Sequence, residues 1–145
     1  MSPITAEPPV FIGNEKHMEA FGASMAASVA PGSVIFLKGD LGAGKTTWVR
    51  GFLGSLGHEG AVKSPTYTLV EEYYLQDMWI YHFDLYRISD AESLEFIGIR
   101  EYFRSDAVVL IEWPEQGIGF LPSPDIVLTI DIVDKGRRVS VSYCA

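Results

Sequence analysis

Residues Gly39 to Thr46 read Gly-Asp-Leu-Gly-Ala-Gly-Lys-Thr, a complete G-x-x-x-x-G-K-[ST] phosphate-binding loop. This segment constrains the fold more than any other, because the loop works only between a strand and a helix. The flanks supply both. Ser33-Val-Ile-Phe-Leu-Lys38 is a short apolar run that reads as a buried strand. Thr46 to Leu56 places Trp48, Phe52, Leu53 and Leu56 at helical spacing. The glycines let the backbone turn so that successive N–H groups of Gly42, Ala43, Gly44, Lys45, Thr46 and Thr47 point into one concave nest. The helix aims its positive dipole end at the same place. Lys45 reaches the β- and γ-phosphates of a bound nucleotide, and the Thr46 hydroxyl is a ligand for Mg²⁺.

A P-loop needs a second acid near the metal, usually at the end of a neighbouring strand. Val108-Val-Leu-Ile-Glu112 offers four apolar strand residues and then a carboxylate where the strand leaves the sheet. Strand exits are where open α/β sheets meet their ligands. A strand-capping surface acid is the competing reading for Glu112. Asp84, in His82-Phe-Asp-Leu-Tyr-Arg87, follows Trp79-Ile-Tyr81 and also leaves a strand. It is either an acid that positions or deprotonates water beside a nucleotide, or a turn residue capping Leu85-Tyr86-Arg87. Ser64-Pro-Thr-Tyr67 resembles a switch loop whose Thr66 hydroxyl would sense the γ-phosphate or Mg²⁺, with an ordinary strand-entry turn as the alternative. Trp113-Pro114 places a large aromatic on the loop after Glu112, as core or as an exposed contact.

The remaining chain reads as follows. Val10-Phe-Ile12 is an edge strand. Asn14 caps a helix reaching about Val29, with Met18, Phe21, Met25 and Val29 on one face. Thr66 to Tyr74 and Met78 to Phe83 are strands joined at Gln76-Asp77. Ser89-Asp-Ala-Glu92 is a capping box before a short helix through Leu94 and Ile97, and a second covers Ile99 to Phe103. Ala107 to Ile111 is a central parallel strand. Asp125 to Val133 and Arg137 to Tyr143 form a hairpin over Asp134-Lys-Gly136. The expected fold is therefore α/β: a single P-loop NTPase domain over residues 1–145, with a mixed sheet and a large antiparallel share.

The 145 residues support one domain with a real core. No apolar run approaches the roughly 18 residues that span a bilayer. The N-terminal segment lacks the basic and apolar regions of a secretory signal, and Cys144 is the single cysteine. A cytoplasmic protein without an internal disulfide is expected. His17, His58 and His82 show no metal-ligand spacing. Net charge is −8; residues 71–115 carry eleven acids and three bases, so the excess lies there. A nucleic-acid binder needs a basic footprint, so stable contact with RNA or DNA by this chain alone is not expected. The acidic stretch is a solvated face or a surface for a basic partner.

The absences narrow the chemistry further. No Asn-Lys-x-Asp guanine motif and no arginine-rich lid is present. Lys63 and Arg87 are the cations expected near the site besides Lys45. Without an arginine finger, worth ~10³–10⁵ in rate, intrinsic hydrolysis should be slow.

The segments Gly39 to Thr47, Ser64-Pro-Thr-Tyr67, His82 to Arg87, Leu94-Glu-Phe-Ile-Gly98 and Ile111-Glu-Trp-Pro-Glu115, in this order, resemble the bacterial TsaE family over nearly the whole chain. The resemblance implies a small ATPase needed for threonylcarbamoyladenosine, a modification of ANN-decoding tRNAs. It implies action on a TsaB–TsaD heterodimer, in which TsaD transfers the group and ATP hydrolysis resets the pair. By position it assigns Lys45 to phosphate, Thr46 and Glu112 to Mg²⁺, and Asp84 to hydrolysis. It sets Trp113 beside the nucleotide, Thr66 in a switch-like loop, and Glu15 and Arg137 along the base. A P-loop small-molecule kinase and a nucleotide-gated binding module are the alternatives.

Overall fold

The structure is a computed structural model that describes residues 3–144. The strands are β1 (Pro3–Ala6), β2 (Val10–Ile12), β3 (Val34–Lys38), β4 (Val70–Leu75), β5 (Met78–Asp84), β6 (Ala107–Glu112), β7 (Ile126–Val133) and β8 (Gly136–Cys144). The helices are α1 (Glu15–Ala26), α2 (Lys45–Ser55) and the short α3 (Ser93–Phe96), with 3₁₀ turns at Ile99–Tyr102 and Pro114–Gly117. One eight-stranded sheet runs in the order β1-β8-β7-β3-β6-β5-β4, and β2 also pairs with β8. The centre is parallel: β3 lies between β6 and β7, and β5 lies beside β6. The flanks are antiparallel hairpins, β4–β5 and β7–β8. The mixed α/β sheet with its large antiparallel share is thus as expected.

Burial explains the layering. All six residues of β6 are buried, as expected for a central strand covered on both faces. Alternation sends Ile80, Val108 and Leu110 to one face, where they join Trp48, Phe52 and Leu53 of α2 and Met18 and Met25 of α1. Tyr81, Phe83, Val109 and Ile111 point to the other face and pack with Leu85, Leu94 and Ile99. His82 and Asp84 share the parity of Ile80, so β5 carries them on the helix side, at the end where α2 begins.

α1 and α2 cross at backbone contact. A Cβ built on Gly51 would lie 1.9 Å from the Glu19 carbonyl oxygen, and one on Gly22 would lie 2.1 Å from that of Trp48. Only glycine allows this approach. Gly51→Ala must push the helices apart, at a cost of about 3 kcal/mol. Thermal unfolding of the variant should show a melting temperature lower by roughly 6–12 °C; an unchanged melting temperature would show that the helices separate freely.

Four details differ from the sequence reading. α1 ends at Ala26 rather than near Val29, because the N–H and hydroxyl of Ser28 both donate to the Met25 carbonyl and close the last turn. Residues 66–69 form a turn, and β4 starts only at Val70: Leu69 has φ 74°, and its N–H donates to the Pro65 carbonyl. The capping box at Ser89 does not form. Asp90 does the capping, its carboxylate accepting from the Glu92 N–H and its carbonyl from Ser93. The strand β1, pairing with the far end of β8, was not read at all. The two hairpin turns are as expected, with Gln76, Asp77 and Lys135 all at positive φ.

Candidate functional site

The P-loop joins the C-terminal end of β3 to α2. Gly44 caps the helix at φ 112°, and Gly42 sits at φ 79° with open space on its Cβ side. Both angles lie in the left-handed region that favours glycine. The first N–H groups of α2 have no intrahelical acceptor, and they face a groove with two lobes. One lobe, of ≈ 320 Å³, is bounded by Lys45, Thr46, Thr66, Asp84, Glu112 and Trp113. The other, of ≈ 530 Å³, is bounded by Glu15, Met18, Thr47, Lys135, Gly136 and Arg137. Glu15, Gly42, Ala43, Gly44 and Thr47 border both lobes. The groove is of the size that takes a nucleotide.

Parallel pairing sets the acids. β5 and β6 run in register with Asp84 opposite Glu112, so both carboxylates leave the sheet at one level beside the P-loop. Lys45, Asp84 and Glu112 are only 5%, 4% and 3% exposed, and His82 is fully buried. Charged groups are seldom buried so deeply without partners, and each of these has them. The Thr46 hydroxyl donates to Glu112 Oε2 at 3.0 Å, and His82 Nε2 lies 2.6 Å from the same oxygen. The Ser64 and Thr66 hydroxyls donate to Asp84 Oδ2 at 3.0 and 2.8 Å, while Asp84 Oδ1 accepts from the Tyr86 N–H at 2.9 Å. Asp84 therefore caps the turn with one oxygen, as one of its two readings expects, and gathers the Ser64–Thr66 loop with the other.

Lys45 donates to the carbonyl of Gly39 and, at 3.3 Å, to that of Asp40; its Nζ stands 4.1 Å from the centre of the Trp113 ring. Burial pushes its pKa below the ordinary lysine value, and the charges of Glu112, Asp84, Glu115 and Asp40 oppose that shift. Trp113 is neither wholly core nor a free surface contact. It is half-buried, with Tyr86 packed 5.0 Å from its ring. Its φ of 57° lies in the left-handed region, a conformation costing ~1–3 kcal/mol that persists only where the surroundings enforce it.

The two arginines nearest these motifs are engaged. The Arg137 guanidinium donates to the carbonyls of Ala43 and Gly42, both at 3.0 Å, and so props the P-loop from outside. Arg87 donates to the Tyr67 hydroxyl at 3.0 Å and stacks 4.3 Å above that ring. Glu15 and Arg137 border the larger lobe; Lys45, Thr46, Thr66, Asp84, Glu112 and Trp113 converge on the smaller one. His82, read from the sequence only as a histidine without metal-ligand spacing, is the member of this cluster that was given no part in the site. Its signal was its position two residues before Asp84, which puts both on one face of β5.

The donor set fits a hard divalent cation carried by a phosphate chain. Thr46 and Glu112 present side-chain oxygens in hydrogen-bond contact with each other, and Mg²⁺ is commonly bound through one or two protein oxygens, phosphates and waters. Among the described residues no cluster of three His, Cys, Asp or Glu side chains could hold a metal by itself. No helix among them is long and apolar enough to cross a membrane.

A family model described as threonylcarbamoyl adenosine biosynthesis protein TsaE matches residues 12–139. A tRNA threonylcarbamoyladenosine biosynthesis protein TsaE from Haemophilus influenzae is 57% identical over 108 residues, covering 74% of this chain and 68% of that protein. Its namesake from Bacillus subtilis is 43% identical over 100 residues, covering 69% of this chain and 62% of that protein. The crystal structure of Bacillus subtilis YdiB matches with a TM-score of 0.81 at 30% identity, covering 97% of this chain and 88% of that one. The family match runs from the last residue of β2 to the middle of β8 and so contains the whole groove. On that match and those identities, the chain belongs to the TsaE family of proteins of tRNA threonylcarbamoyladenosine biosynthesis.

Proposed function

We propose that this protein is a Mg²⁺-dependent ATPase that acts on the TsaB–TsaD pair to sustain its turnover in tRNA threonylcarbamoyladenosine synthesis. The observation that carries the reading is the convergence of Lys45, Thr46, Asp84 and Glu112, from three separate elements, on one lobe beside the P-loop. Bound Mg²⁺ would neutralise charge developing between the β- and γ-phosphates. Thr46 and Glu112 would hold it. Lys45 would exchange the carbonyls of Gly39 and Asp40 for phosphate oxygens. Asp84, already bonded to the Thr66 hydroxyl, would orient the attacking water or accept its proton. Glu15 and Arg137 would flank the base in the larger lobe.

Partner activation is supported by the state of the arginines. Arg87 is spent on Tyr67 and Arg137 on the P-loop carbonyls, so neither is placed as an arginine finger. Hydrolysis by the chain alone should then be slow. The acidic excess of residues 71–115 suits a protein partner better than direct contact with tRNA.

The test is steady-state ATP turnover by the purified protein, alone and with TsaB and TsaD. Slow turnover alone, a rise of about tenfold or more with the pair, and loss of both in EDTA are expected, a tenfold rise being modest beside what a completed charge clamp supplies. Unchanged turnover with the pair would overturn partner activation. Phosphoryl transfer to a metabolite would identify a kinase instead.

A further inference from the structure

His82 is the one ionisable side chain of the buried cluster to which the mechanism above gives no role. It is fully buried on β5, and among the described residues the only polar contact of its side chain is Glu112 Oε2, at 2.6 Å. Its Nδ1 has no hydrogen-bond partner among the described residues. Packing does not require a histidine here. On that face Ile80, Val108 and Leu110 are apolar, and an apolar residue of similar volume would pack against them, so the polar contact that a histidine adds here is the one to Glu112. An imidazole with one orphaned nitrogen is tolerated in such a place when the other nitrogen has work to do.

That work is visible at Glu112. Oε2 accepts from Thr46 on the groove side and faces His82 on the sheet side. No hydrogen bond to Oε1 is present among the described residues. The carboxylate is thus tethered by one oxygen, with the other left for the groove. Because β5 and β6 are parallel, His82 pairs with Leu110 and reaches forward to Glu112, a contact fixed by sheet register. Groups that hydrogen-bond to a metal ligand and hold its orientation change metal affinity by ~10–100-fold.

We propose that His82 is a positioning residue for the metal: its Nε2–H holds Oε2 of Glu112 and fixes the direction in which the carboxylate meets Mg²⁺. The inference rests on the reading of Glu112 as a metal ligand. The probe is Mn²⁺ binding to the full chain with ADP, followed by electron paramagnetic resonance, alongside ADP binding in EDTA and a thermal melt. His82→Leu should raise the Mn²⁺ concentration at half-saturation by about tenfold or more, while ADP binding in EDTA is unchanged. His82→Gln places an amide N–H near the position of Nε2 and should restore most of the metal affinity. A folded His82→Leu protein with wild-type Mn²⁺ affinity would overturn the proposal, as would an equal loss of ADP binding in EDTA. If His82→Leu does not fold, His82→Asn replaces it, since Asn is too short to reach Glu112; equal Mn²⁺ affinity of the Asn and Gln variants would overturn the proposal. Glu112→Gln separates the two levels. No loss of Mn²⁺ affinity there would remove the metal-ligand reading and this inference together. A loss there with none in His82→Leu would remove only the inference.

Discussion

Lys45→Ala should weaken Mg·ATP binding by roughly 150-fold, corresponding to ~3 kcal/mol for a hydrogen bond to a charged group, and turnover should fall below detection. The basis is local. Among the described residues Lys45 is the one cation lining the smaller lobe, and four carboxylates, Glu112, Asp84, Glu115 and Asp40, are close enough to act on its charge. Without the ammonium, the charged side chains lining this lobe would be Glu15, Asp84 and Glu112, all negative toward a triphosphate. In the structure the ammonium rests on the carbonyls of Gly39 and Asp40 and on the Trp113 face, contacts that keep it aimed along the P-loop. The fold should survive the change. Burial disfavours the charged lysine, so removing it relieves a desolvation cost while costing a screen between Glu112 and Asp84, and the two effects oppose. Isothermal titration with ATP and Mg²⁺ measures the loss, and a thermal melt controls for folding. ATP affinity within about threefold of wild type, well under 1 kcal/mol, would mean that the nucleotide does not bind at the P-loop.

How much of this site was legible in the sequence depends on how local each part is. The P-loop declares itself because one stretch of eight residues builds the whole cradle. Glu112 was legible because β6 is a run of buried residues that ends on a carboxylate, and a buried parallel strand needs no partner information to be seen. Asp84 was ambiguous because its two oxygens do different things, and only the folded loop shows that Ser64 and Thr66 come to one of them. The same contact explains the misread start of β4: the hydroxyls hold residues 64–66 at Asp84, and the chain turns through Leu69 before it can extend. The His82–Glu112 contact and β1 were invisible for a shared reason. The His82–Glu112 contact needs the β5–β6 register, and β1 needs β8 from the other end of the chain. Neither register is written in a single segment.

Asp84→Asn should separate hydrolysis from binding. Asn is isosteric, and its amide and carbonyl can both serve the turn: hydroxyls rotate, so Ser64 and Thr66 can accept where they now donate. The Tyr86 N–H keeps an oxygen acceptor on the Oδ1 side. What is lost is the charge that would polarise or deprotonate water, an effect worth about 10²–10⁴ in rate. Single-turnover hydrolysis should therefore fall by about 10² or more, while ADP binding holds or tightens, because one carboxylate near the phosphates has become neutral. Asp84→Ala should lose the same rate and also free the loop, since both hydroxyls and the Tyr86 N–H are left without their acceptor. That difference is measurable as faster proteolytic cleavage within residues 63–69 of the Ala variant alone. Hydrolysis by Asp84→Asn within about threefold of wild type would assign Asp84 to holding the loop, with no part in the reaction, because general-base loss cannot be so mild. Full loss in Asn with an intact loop would place its carboxylate in the reaction itself.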